Sequence, residues 1–247
     1  MAQIKIMLNV SEQLFLRDPQ QTKLGKRIVR NGIILIDEIG FECFTFKKLA
    51  SKIKSTEASI YRYFENKHFF FVYLVNWYWE WTSFRISFNT MNMNSPKEKL
   101  RQVIHTIVDT SQKRASIDFV DTDILHRIVV TEGTKAYHGK DVDAENKMGF
   151  FLSYKALCKK IANIMLEIRE DYPYPKALAS TLVETANNNI YFAEHLPRLT
   201  DIEFSTNFHA DIEKMLENMI FSVLEVSVPQ GSGRADNDEN ISSEIRL

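Results

Sequence analysis

The sequence predicts an all-α protein: an N-terminal three-helix module followed by a larger helical bundle, about nine helices in total. Three observations lead there. Glycine is scarce, eight in 247 residues, less than half the average usage of about 7%. That argues against glycine-rich nucleotide loops and against a turn-rich β protein. Apolar residues recur at helical spacing through long segments, with proline and glycine punctuating them. Helix starts carry their own signals, clearest at Ser95-Pro96-Lys97-Glu98, which places Ser at the N-cap, Pro at N1 and Glu at N3.

The elements follow in order. Residues 1–20 form a leader, with strand character only around Ile4–Leu8; it either packs on the module or extends as an arm. Leu24, Ile28, Leu35 and Ile39 mark the first helix, and Gly40 sits where a helix C-terminal glycine belongs. Thr45 caps a short helix carrying Phe46, Leu49 and Ile53. Thr56 caps the next, with Ile60 and the aromatics Tyr61–Phe64, and Lys67 starts a long helix to about Met91. These complete a module over 21–68. The body, 69–228, holds helices from Ser95 through Val108, at 119–131, 145–170, 176–195 and 201–227, with 132–146 as a long loop. Apolar residues from Phe204 to Leu224 make a stripe too wide for one contact. Residues 229–247 read as a disordered tail.

Composition excludes several classes. Hydrophobic residues make up 45% and charged residues 26%, ordinary for a globular protein. Cys43 and Cys158 lie far apart with no partner motif, which suits free thiols in a reducing compartment. The N-terminus lacks a signal peptide's apolar centre. The most apolar run, 69–79, is shorter than the roughly 20 residues a membrane-spanning helix needs. The expectation is a cytoplasmic protein with no membrane contact. The six histidines show no zinc spacing, so no metal and no cofactor is expected. Net charge is −1, yet residues 21–68 carry ten basic and five acidic side chains. A basic module on an acidic body suits a polyanion partner.

The stretch STEASIYRYFENKH, 55–68, carries the chemistry. Two short helices joined by a tight turn, each with its own cap, read as a helix-turn-helix. Leu49, Ala50 and Ile53 face inward; Ile60 and Phe64 anchor the second helix. Thr56, Glu57, Ala58 and Ser59 then form a polar N-terminal turn, the part that enters a DNA major groove. Thr45, Lys47, Tyr61, Arg62, Tyr63 and Lys67 surround it as candidate DNA contacts, Tyr61 and Lys67 suited to phosphate. Further on, aromatics crowd the long helix. Core and interdomain packing explains them; alternatively Trp77, Trp81, Phe84 and Phe88, with His126, line a pocket for an apolar or aromatic small molecule.

The run from Ile33 to Phe70 resembles the DNA-binding domain of the tetracycline-repressor (TetR) family. The matching positions are Gly40-Phe41, Thr45, Leu49-Ala50, Thr56, Ile60-Tyr61, Tyr63-Phe64 and Asn66-Lys67. The resemblance implies a repressor that binds a palindromic double-stranded DNA operator as a homodimer and is released by a small-molecule effector. It also implies dimerisation through the helices at about 176–195 and 201–227. One departure stands out: Lys54-Ser55 replaces the family's Gly-Val in the turn. Lys54 must then adopt a left-handed conformation at a cost of about 1 kcal/mol. A helical-bundle enzyme, or an interaction protein that has lost DNA binding, are the alternatives. No catalytic constellation is visible in the sequence, so no enzymatic activity is expected.

Overall fold

The computed structural model describes residues 8–109 and 119–225. Ten α-helices form among them, and no strand. Helix α1 (Lys23–Cys43) is capped by Thr22, whose hydroxyl accepts the Gly25 N–H. It breaks at Gly40, with φ 73° and ψ 158°, a region open essentially to glycine alone. Helices α2 (Phe46–Lys52) and α3 (Glu57–Tyr61) follow. The long α4 (Lys67–Thr90) then leaves the module and runs through the body. It is buried nearly all round, from Phe70 to Trp81, because it is apolar on every face. It packs against α5 (Pro96–Val108), α6 (Thr122–Glu132) and α8 (Leu152–Ile168). Helices α9 (Pro175–His195) and α10 (Phe208–Glu225) close the bundle.

The Phe70 ring of α4 is seated on α1 at Gly32. A Cβ there would lie 2.3 Å from Cζ of Phe70. Phe70 cannot yield, since it packs among the rings of Phe44, Phe46 and Phe64. The leader packs on the module. Leu8, Val10 and Leu14 are buried, the Leu16 N–H donates to the Tyr63 carbonyl at 2.8 Å, and the Phe15 ring meets Tyr73 edge-on.

Several boundaries differ from the sequence expectation. The stretch 132–146 is not a bare loop: it holds a single-turn 3-10 helix, Gly133–Ala136, and α7 (Val142–Lys147). Gly149, at φ 83°, separates α7 from α8, so the helix at 145–170 is two. The final helix begins at Phe208, not 201; a 3-10 turn at Pro197–Leu199 and a connecting segment precede it. Phe204 therefore lies outside the α10 stripe. The strand character at Ile4–Leu8 falls mostly outside the described residues, as does the tail at 229–247.

Candidate nucleic-acid interface

Local hydrogen bonds build the helix-turn-helix. The Thr45 hydroxyl accepts the Lys48 N–H at 3.2 Å and starts α2. The Thr56 hydroxyl accepts the Ser59 N–H at 3.2 Å and lies 2.9 Å from the Ser59 hydroxyl, starting α3. The Asn66 side chain accepts both the His68 and Phe69 N–H groups and starts α4. Each satisfies donors that a helix start leaves open.

The turn between α2 and α3 closes in a Schellman arrangement. The Ser55 N–H donates to the Ala50 carbonyl at 2.9 Å and the Lys54 N–H to the Ser51 carbonyl at 3.2 Å. Lys54 holds φ 50°, the left-handed conformation its position requires. The Arg27 guanidinium donates to the Ile53 carbonyl and ties the turn to α1. The turn therefore keeps its geometry without glycine.

Of the ten candidate contacts, seven are exposed around α3: Thr45, Lys47, Thr56, Glu57, Ala58, Tyr61 and Arg62. Ser59 is partly buried. Tyr61 is 47% exposed. Its ring rests edge-on against Phe46 at 5.1 Å, which holds the hydroxyl outward. Tyr63 departs from expectation. It is only 2% exposed, and its hydroxyl lies 2.7 Å from the Thr22 hydroxyl. It fastens the leader and α1 to the module and is not an outward contact. Lys67 is partly buried. Its amine sits 4.9 Å over the Phe41 ring and donates to the carbonyls of Phe41 and Glu42, neutralising the end of α1. Lys54, a backbone departure in the sequence, also has its side chain exposed in the turn, with no ion pair among the described residues. The signal was its position between the two helices.

The aromatics expected to line a pocket divide between core and surface. Trp77 and Trp81 are core residues. Phe84 and Phe88 stack outward along α4, Phe88 being 66% exposed. His126 of that set lines a cavity among the described residues. This is a cleft of about 650 Å³ between α1, α6, the end of α9 and the start of α10. Its walls come from residues far apart in sequence, so no local pattern announced it.

The cleft lies beside the joints between module and body. The Arg127 guanidinium of α6 donates to both oxygens of Asp37 on α1, at 3.3 and 3.0 Å. Glu132 accepts the Phe41 N–H at 3.2 Å, next to the Gly40 break. Its other oxygen pairs with Lys135 at 2.6 Å, and Lys135 also reaches Glu42 at 3.1 Å. His126 is 5% exposed; its Nδ1 lies 2.6 Å from the Tyr78 hydroxyl, while its Nε2 has no partner. Burial foremost, then His209, Arg85 and Arg127, lowers its pKa to about 3. Burial likewise pushes Tyr78 up to about 12. Both are neutral near pH 7.

No family model matches the sequence, and no curated protein matches it. Solved structures do. AibR in complex with isovaleryl coenzyme A and operator DNA gives a TM-score of 0.55 at 12% identity, over 79% of this chain and 98% of that one. A TetR transcriptional regulator from Legionella pneumophila gives 0.54 at 17% identity, over 80% and 97%. The superantigen PfiT gives 0.54 at 12% identity, over 83% and 97%. The chain thus has the fold of TetR-type regulators. A superantigen among the similar structures illustrates that a fold alone does not assign function. No helix among the described residues is long and apolar enough to cross a membrane.

Proposed function

We propose that the chain is a DNA-binding transcriptional repressor, not an enzyme, that acts as a homodimer on a twofold-symmetric operator and is released by a small molecule. One observation carries the reading: the polar first turn of α3, Thr56 to Ser59, is presented outward by a capped and closed helix-turn-helix. Lys47, Lys54 and Arg62 are exposed around it and supply charge for phosphates, while Thr56, Glu57 and Ser59 offer groups to base edges. The likeness to AibR, seen with operator DNA and isovaleryl coenzyme A, supports both halves of the proposal.

Dimerisation would use α9 and α10. One face of α10, Ile212, Leu216, Ile220 and Leu224, is buried inward, and Met215, Met219 and Val223 stay half-buried on its flanks. A second apolar face of this kind suits a twofold contact. The test is a gel shift with the DNA upstream of the chain's own coding region across a salt series. Sequence-specific binding whose log affinity falls linearly with log salt is expected. Binding that does not discriminate between sequences would sink the reading.

A further inference from the structure

The charges lining the module–body cleft are unequal. Four carboxylates, Asp37, Asp123, Glu132 and Glu194, face a single guanidinium, Arg127. Arg127 is committed to Asp37 and Lys135 to Glu132. Asp123 has no ion pair among the described residues, and Glu194 has only the neighbouring His195 imidazole, 3.8 Å away. The rest of the wall is largely apolar, from Ile36 and Ile128 to Ile190, Phe204 and Phe208. A buried ring nitrogen completes it: His126 lines the cleft and its Nε2 is unpartnered. Buried polar atoms are normally satisfied, and each exception needs an explanation. The volume, about 650 Å³, lies within the range of small-molecule sites.

We propose that this cleft binds a small organic cation, an amine with an apolar or aromatic body, whose ammonium is answered by Asp123 and Glu194, with His126 in the wall beside it. A carboxylate or phosphate ligand would face uncompensated like charge there. The occupant would touch α1 and α6 at once, beside the Arg127–Asp37 joint. It would therefore favour one placement of the helix-turn-helix over another, by the difference in its affinity for the two. That consequence rests on the repressor reading; the binding itself does not.

The test uses a matched pair of probes, 4-phenylbutylamine and 4-phenylbutyrate, titrated into the full-length protein by calorimetry. The amine should bind saturably, at least ten-fold tighter than the carboxylate. In the double variant Asp123→Asn, Glu194→Gln that preference should shrink at least ten-fold while binding of 4-phenylbutyrate is kept or tightened, a combination that loss of folding would not produce. No saturable amine binding up to millimolar probe, equal binding of both probes, or an unchanged preference in the double variant would overturn the assignment. The same samples then receive operator DNA. Absence of operator binding without any probe would count against the repressor reading alone, and absence of amine binding against this site alone.

Discussion

Lys54 is the residue where backbone and function meet. Its left-handed φ of 50° carries strain of about 1 kcal/mol for a side chain with a Cβ, yet it places an unpaired cation beside the recognition turn. Lys54→Gly should therefore leave stability unchanged or raise it by up to about 1 kcal/mol, while lowering the slope of log affinity against log salt by about 0.9, one phosphate contact. Denaturant melts and salt titrations read the two effects separately. Tyr61→Phe keeps the ring on Phe46 and removes only the hydroxyl. It should weaken operator binding about ten-fold or more, because a hydrogen bond to a charged group contributes about 1.5–3 kcal/mol; unchanged affinity would remove Tyr61 from the interface. His126 gives a pH dependence. Its folded pKa is about 3, against about 6.5 for the free side chain. Its contribution is fully present above pH 6.5 and is lost progressively as the pH falls toward 3, because the unfolded chain then takes up a proton that the folded chain refuses. Urea unfolding at pH 5 should show about 2 kcal/mol less stability than at pH 7 from this group, and His126→Phe should flatten that part of the profile.

At the scale of elements, what is local was legible and what is assembled was not. Thr45, Thr56 and Ser95 announced helix starts because a cap acts over three residues. The positive φ at Lys54 followed from its place after α2. The inward direction of Tyr63 is not legible in the sequence because α3, just before it, spans five residues, too few for periodicity to separate inner from outer positions; the Thr22 hydroxyl, 41 positions away, and the Arg17 guanidinium over its ring fix its direction. Helix α7 escaped because six polar-rich residues carry no stripe. The aromatic cluster in α4 was visible, but the sequence could not say which rings meet the core and which meet solvent. The seat of the Phe70 ring on α1 offers a test at this scale. Gly32→Ala puts a methyl into the fixed Phe70 ring and should cost about 1–3 kcal/mol, read as a lowered melting temperature. If the melting temperature held, that seat would have to be looser than described.

At the scale of the whole molecule, one core runs from the leader to α10, and polar joints fasten the module to the body, among them Arg127–Asp37, Glu132 with the Phe41 N–H, Lys135–Glu42 and His68–Glu145. A binding module and a cleft that share a helix can be coupled without a long relay, and the coupling must be reciprocal. The proposed twofold assembly is tested at this scale too. Met219→Arg on α10 should halve the mass seen by sedimentation and weaken operator binding, since one module alone holds one half-site. The most direct measurement of the central claim is selection of bound duplexes from a randomised DNA library by the purified protein. The account predicts enrichment of a palindrome whose half-sites lie about one helical turn apart or somewhat more. Recovery of no enriched sequence, or of sites without twofold symmetry, would contradict it.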